Sequence, residues 1–151
     1  MKQPKKKKRR TGLIVLLCIV GVIVLGMAVT VLAFEPGRKE AMNITVGDVD
    51  FSRLKEGAYT GAYKGTKDNL RDTAVEVVIT NGEIQDIRVV EGALAGEKQN
   101  TEKIKGQTIT DLFDRVTEQK TLQVDGISGA TITTKTHLKA LENALSQAQE
   151  N

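Results

Sequence analysis

From Leu13 to Phe34 the chain runs through residues 13–34, 22 in all, without a charge, and Leu, Val and Ile dominate the stretch. At 1.5 Å rise per residue it makes a helix about 33 Å long, enough to cross a hydrocarbon layer of about 30 Å. Before it stand seven positive charges, Lys2, Lys5, Lys6, Lys7, Lys8, Arg9 and Arg10. Basic flanks stay in the cytoplasm, so residues 1–12 are expected inside and everything after Phe34 outside. A cleavable signal peptide also begins basic and turns apolar, but its apolar part usually runs only about 7–15 residues. Val31-Leu32-Ala33 offers a small-residue cleavage pattern, so both readings stand, with length favouring the anchor. Cys18, preceded by the bulky Leu17 and set in mid-stretch, reads as one more apolar residue of the span rather than a lipid-modified one.

The net charge of +3 belongs to that tail. Setting the seven N-terminal cations aside leaves 15 basic groups against 19 acidic ones, so the outer part carries about −4. An acidic surface is unsuited to nucleic acid, which needs a basic face. The basic run reads instead as a topology signal with attraction for anionic lipids of the bilayer's inner leaflet. No cysteine lies outside the apolar stretch and the chain has one His, so neither disulfides nor a Cys- or His-built metal centre is expected.

Glu35-Pro36-Gly37 marks the exit from the apolar span, and residues 35–55, weakly periodic, read as a spacer that is helical in part. The domain is expected over 56–151. Gly57-Ala-Tyr59-Thr-Gly61-Ala-Tyr63 alternates as a strand would, and its glycines mark either a bent edge or a backbone approached closely by something else. Thr73–Thr80 is rich in β-branched residues, with Val75, Val77 and Ile79 on one face, and Asn81-Gly82 after it is a strong hairpin signal. The return strand is Glu83–Val90, where the apolar phase slips between Ile84 and Ile87 as a β-bulge would make it. Gly92–Asn100 reads as a loop or frayed helix start. A helix capped by Thr108 or Thr110 follows, with Ile109, Leu112, Phe113 and Val116 at helical spacing. Thr121–Val124 is expected to return to the sheet. The last helix, about Ile132 to Gln147, places Thr134, Leu138, Leu141 and Leu145 on one stripe. The fold class is α+β: a small antiparallel sheet packed by two helices, preceded by one transmembrane helix.

Between the last expected strand and the last helix lies Asp125-Gly126-Ile127-Ser128-Gly129-Ala130-Thr131-Ile132-Thr133-Thr134. Small residues leave space around the backbone, and four hydroxyls line it. A helix start offers unpaired N–H groups and about half a positive charge, which favours an anion there. On composition alone these hydroxyls read more simply as helix caps. No His–Asp pair adjoins Thr131, so nothing local makes it a nucleophile.

The segment Asp125–Thr133 resembles the flavinylation motif of FMN-binding domains. These occur in the C subunit of the sodium-pumping NADH:quinone oxidoreductase, the G subunit of the Rnf complex and small surface flavoproteins of Gram-positive bacteria. That motif reads Asp-x-x-Ser/Thr-Gly-Ala-Thr/Ser, and its last hydroxyl, here Thr131, carries FMN through the phosphate. Asp125, Gly126, Ser128, Gly129 and Ala130 complete it. The likeness extends to Glu56-Gly-Ala-Tyr-Thr-Gly61, the Val75–Ile84 hairpin and the terminal Leu-rich helix, about 95 of the 151 residues. It implies that a separate magnesium-dependent flavin transferase uses FAD, attaches FMN and releases AMP. It also implies a carrier held at the cell membrane, which exchanges electrons with a membrane redox partner such as a quinone-linked dehydrogenase or an Rnf-type complex. The respiratory subunits have a Glu-Thr-Pro-Gly loop beside the flavin, whereas this chain reads Glu91-Gly-Ala-Leu-Ala-Gly96. The ring is therefore expected to be more exposed, with Tyr59, Tyr63, Leu94 and Phe113 as candidate contacts by residue type. Two alternatives stand beside the tether: an outer domain that binds a partner without redox chemistry, and one that binds FMN reversibly.

Overall fold

The computed structural model describes residues 7–149, with the side chains of the first helix described from Gly12 onward. Lys2, Lys5 and Lys6 of the basic run lie outside the described residues. The chain divides into two units, Met1–Pro36 and Gly37–Asn151.

The described residues of the first unit are helical, in α1, which spans Lys7–Met42. Its Leu, Ile and Val side chains from Leu13 to Leu32 are exposed. Among the described residues one helix, Gly12–Met42, is long and apolar enough to cross a membrane. Glu35-Pro36-Gly37, read as the exit from the apolar span, lies within α1, so the first part of the spacer is helical. Proline has no N–H to give to the carbonyl of Leu32, so one helical hydrogen bond is lost there.

The second unit is built on an antiparallel meander of β1 (Gly57–Tyr63), β2 (Thr73–Thr80) and β3 (Glu83–Glu91), in that order across the sheet. Asn81 at φ 54° and Gly82 at φ 76° make the tight turn between β2 and β3 that the Asn-Gly pair predicts. Register shifts where Val78 faces Asp86 but Ile79 faces Ile84, which leaves Gln85 as the extra residue. That bulge absorbs the phase slip, so that Ile87 and Val89 point to the same core as Val75, Val77 and Ile79.

Helices α2 (Lys98–Thr101), α3 (Ile109–Gln119) and α4 (Thr131–Gln147) complete the domain. Thr108 caps α3, accepting from the Asp111 N–H while the Asp111 carboxylate accepts from the Thr108 N–H, a reciprocal capping box. Its Ile109, Leu112, Phe113 and Val116 are buried, as is the α4 stripe of Thr134, Leu138, Leu141 and Leu145. Helix α4 lies across β1 and β2. Gly61 lets it approach, since a Cβ there would overlap the backbone of Ala140 and Ala144. Gly61 of β1 thus answers to close packing by a helix.

Thr121–Val124 does not return to the sheet, which has three strands. Leu122 enters the core, the Gln123 N–H is satisfied locally by Thr121 Oγ1 (3.0 Å), and the Gln123 amide donates to Val46 O (3.1 Å). Alternation records which side chains are buried, but says nothing of whether a strand edge is on hand to pair.

Residues 43–55, inside the expected spacer, pack on the domain as a strap. The Lys55 N–H bonds to Ala148 O (2.8 Å), Leu54 bridges to Gln149, and the Gly47 N–H bonds to Glu142 Oε2 (3.1 Å). Leu54 is buried, and Val46, Val49 and Phe51 cover the core beside it.

Candidate functional site

The motif folds into a tight turn leading straight into a helix. The Ala130 N–H bonds to Ile127 O (3.0 Å), with Gly129 at φ 78°. Ser128 is not at positive φ, so Ile127–Ala130 has the form of a type II turn, in which the third residue is best served by glycine. Ile127 is buried and anchors the turn, while the Ile127 N–H donates to Thr134 Oγ1 (3.1 Å). Thr134 thus faces inward and holds the turn from behind.

The expected side-chain cap is not formed. The N-cap of α4 is Ala130, with no side-chain hydrogen bond to the helix, and the first helical bond is from the Thr134 N–H to Ala130 O (2.8 Å). The N–H groups of Thr131, Ile132 and Thr133 are consequently without a partner among the described residues. Helix α3, with its capping box, shows what this chain does at a helix start that has only to be stable. At α4 the donors are left open beside glycine, the arrangement that suits an anion.

The four hydroxyls of the motif have different surroundings. Thr134 is buried and engaged, Thr133 is half-buried, and Ser128 and Thr131 are exposed. Thr131 is the first residue of α4, and so stands nearest the open donors. Asp125, Gly126 and Gly129 are exposed around it, and Ala130 is buried.

The first turn of α4 forms a ridge between two cavities. One, of about 720 Å³, is bordered by Thr131 with Asp125, Gly126, Gln123, Lys135 and the strap residues Ile44 to Val46. The other, of about 250 Å³, is bordered by the next two residues, Ile132 and Thr133. Its walls combine Leu70, Ala93, Leu94, Ile104 and Ile132 with polar groups of Thr73, Thr136 and His137. Leu70 stands 59 % exposed at its rim, an uncovered apolar side chain beside the motif.

His137, one turn beyond Thr133, is 5 % exposed. Its Nδ1 lies 2.8 Å from Thr133 O, and a carbonyl can only accept, which places a proton on Nδ1. Its Nε2 is 3.3 Å from Thr73 Oγ1, a hydroxyl that is also 3.1 Å from Glu91 O. Burial pushes the imidazole pKa below its ordinary value, and the bond to Thr133 only partly offsets this. His137 is therefore a neutral strut tying α4 to β2.

Of the four ring contacts expected by residue type, Leu94 borders a cavity beside the motif. Phe113 is a core residue, 2 % exposed, at the edge of a separate cavity of about 340 Å³ that Asp86, Asp114 and Glu118 make acidic. Burial and the neighbouring Asp111 and Glu118 raise the Asp114 pKa, so that cavity is unfavourable for an anionic cofactor. Tyr59 and Tyr63 lie on β1, border neither cavity of the motif, and pack on the core, Tyr59 donating to Glu56 O (3.3 Å). Burial, then the nearby Glu40, Asp68 and Asp72, raise the Tyr63 pKa.

Leu70 and Ile104 border the smaller cavity and Lys105 lies beside Gly129, positions that no local sequence signal marks. Lys105 at φ 49° and Gly106 at φ 86° form a two-residue turn closed by mutual bonds between Ile104 and Gln107. The Lys105 side chain reaches over the motif: a Cβ on Gly129 would lie 2.9 Å from Lys105 Cε and 3.2 Å from Nζ. A Lys-Gly pair signals a turn, but nothing local tells what the turn will lie against.

Comparison with curated proteins and with solved structures finds no match to this chain. The model of the FMN-binding domain matches residues 71–146, which run from the loop before β2 through nearly all of α4 and include the whole motif. That is 76 of the 151 residues, over half the chain, and the residues it covers supply an open helix start, a glycine turn and flanking cavities suited to a phosphate and a flat ring. The chain belongs to the FMN-binding domain family.

Proposed function

We propose that this protein is a membrane-anchored electron-transfer flavoprotein whose FMN is held by a phosphoester on Thr131. The observation that carries the reading is the uncapped start of α4 at an exposed threonine, within a chain of the FMN-binding family. Three groups of the chain would hold the phosphate end, the N–H groups of Thr131, Ile132 and Thr133, which follow directly on the Gly129 turn. The ring is assigned to the smaller cavity, over Leu94 and Ile132. Its apolar wall suits the dimethylbenzene end of a flavin, and the hydroxyls of Thr73 and Thr136 suit the pyrimidine end. FMN, when bound, supplies the electron chemistry, and the protein supplies position and electrostatics.

Among the described residues the Thr131 hydroxyl has no hydrogen bond to a base, so its activation is assigned to a separate magnesium-dependent flavin transferase that uses FAD. With the basic flank inside, the domain lies outside the cytoplasm, where a covalent tether keeps the cofactor from being lost and holds it at high effective concentration beside its partner. The partner is a membrane redox protein, such as a quinone-linked dehydrogenase or an Rnf-type complex. The domain then acts as an electron relay rather than a self-sufficient enzyme.

The test is to express the full chain with a flavin transferase, denature it, and examine the band for flavin fluorescence. The wild type should fluoresce and Thr131→Ala should not. Mass spectrometry of the peptide should place the adduct on Thr131 and not on Ser128, Thr133 or Thr134. A wild-type band that stays dark beside an active transferase would sink the tether, and yellow colour lost on denaturation would show reversible binding instead.

A further inference from the structure

We propose that Lys105 is a positioning residue for the flavin phosphate, holding it over the Gly129 turn while the bond to Thr131 forms and afterwards. The inference rests on the reading of Thr131 as the attachment site and names a residue outside the motif that serves it.

Three observations converge. The Lys105 side chain lies across the face of Gly129, close enough that any Cβ there would meet its Cε. Its ammonium has no hydrogen-bond or ion-pair partner among the described residues, whereas Lys120 and Lys139 are paired with Glu83 (3.7 Å) and Glu142 (2.9 Å). The three open donors of α4 begin two residues beyond Gly129. Positive groups from two separate parts of the chain thus meet at the small-residue turn Ile127–Ala130, whose nearest acidic residue in the motif is Asp125. The turn that carries Lys105 is tight and doubly hydrogen-bonded, and its first residue, Ile104, borders the proposed ring cavity. Lys105 thus follows directly on a residue of the proposed ring cavity while its side chain lies against Gly129 of the proposed phosphate turn.

In the attachment, Thr131 Oγ forms a bond to the flavin-side phosphorus of FAD. The phosphoanhydride bond breaks, AMP leaves with the bridging oxygen, and the hydroxyl proton passes to a base on the transferase. Charge builds on the phosphoryl oxygens during that exchange, and a fixed ammonium stabilises it. Once the ester has formed, the same ammonium faces the remaining negative oxygen.

The experiment uses the full chain in detergent with transferase, FAD and magnesium, and follows in-gel fluorescence with time. Lys105→Gln should slow attachment about tenfold, the scale of one charge-assisted hydrogen bond. Lys105→Glu should slow it further, and Lys105→Arg should restore a rate within about threefold of wild type. The wild-type rate should fall more steeply with salt than that of Lys105→Gln. Lys105→Asn, which tolerates positive φ, controls for the turn: it should melt with the wild type yet attach as slowly as Lys105→Gln. A second arm omits the transferase and adds FMN, reading the phosphorus resonance of the ligand, which should shift with the wild type and not with Lys105→Gln. Equal attachment rates in wild type, Lys105→Gln and Lys105→Glu overturn the proposal, as does a slowed attachment with unchanged phosphorus shifts, which would make Lys105 a transferase contact. If the wild type fails to be labelled but shifts free FMN through Lys105, the tether falls and the phosphate contact stands. If neither happens, both fall.

Discussion

At the scale of single residues, His137 joins the cofactor region to stability. Its imidazole is buried between Thr133 O, Thr73, Thr136 and the ring of Phe113, whose centroid is 6.5 Å away. Arg71, Asp72 and Glu102 are the charged groups bordering the same cavity. The folded pKa lies below the ordinary 6.5, with burial as the main cause. Between the folded value and about 6.5 the unfolded chain binds a proton that the folded chain does not. The His137 contribution is thus fully present above the unfolded value and is lost as pH falls below it, at up to about 1.4 kcal/mol per pH unit. Denaturant midpoints for wild type should therefore drop from pH 7.5 to 5.5, and His137→Gln should flatten most of that drop. The lowered carboxylates Glu40 and Asp111 are ionised throughout this window and add nothing to it. Parallel pH profiles in the two proteins would mean that the imidazole is not held neutral.

At the scale of elements, much of the domain was legible because its signals are local. The Asn81-Gly82 turn, the bulge at Gln85, the Thr108 start of α3 and the Leu138–Leu145 face of α4 each follow from residues within a few positions of one another. What escaped was long-range. Leu122 and Val124 alternate as strand residues do, yet no ladder receives them. Lys105 is 24 positions from Gly129, and Tyr63 and Phe113 are aromatic without bordering the motif's cavities. The glycines of β1 were ambiguous for the same reason, and the structure resolves one of them. Gly61 touches the α4 backbone, which cannot retreat as a flexible side chain would. Gly61→Ala should therefore push α4 off the sheet and cost about 1–3 kcal/mol or more, even though alanine is the better strand residue. Gly96, whose Cβ would meet nothing within 4 Å, has left-handed φ of 65°, so Gly96→Ala probes backbone strain alone, at about 1 kcal/mol. Urea unfolding of both variants would separate them, and a Gly61→Ala protein no weaker than Gly96→Ala would refute the close-packing account.

At the scale of the molecule, the segment between the apolar span and the domain matters most. Read from sequence it is a weakly periodic spacer, helical in part. In the structure Ala41 and Leu54 are buried, and the Glu40 carboxylate accepts from the N–H groups of Thr66 and Lys67, which holds its pKa below the usual carboxylate range. Lys135, one turn into α4, donates to the carbonyls of Met42 (2.6 Å) and Ile44 (3.1 Å), closing the end of α1 onto the helix that begins at Thr131. The strap also borders the larger cavity through Ile44, Thr45 and Val46. Replacing residues 43–55 by a Gly-Ser segment of equal length keeps the reach of a spacer but removes Leu54, Phe51 and Val49 from the core. Deleting one such buried side chain costs about 2–5 kcal/mol, a large part of the 5–15 kcal/mol that holds a typical domain together. The replaced protein should lose its cooperative thermal transition or melt far below wild type, and Leu54→Ala alone should lower the midpoint measurably. Phe51→Ala, whose side chain is only partly covered, should do so less. A Gly-Ser version that melts with the wild type and still accepts flavin at Thr131 would return the segment to the role of spacer.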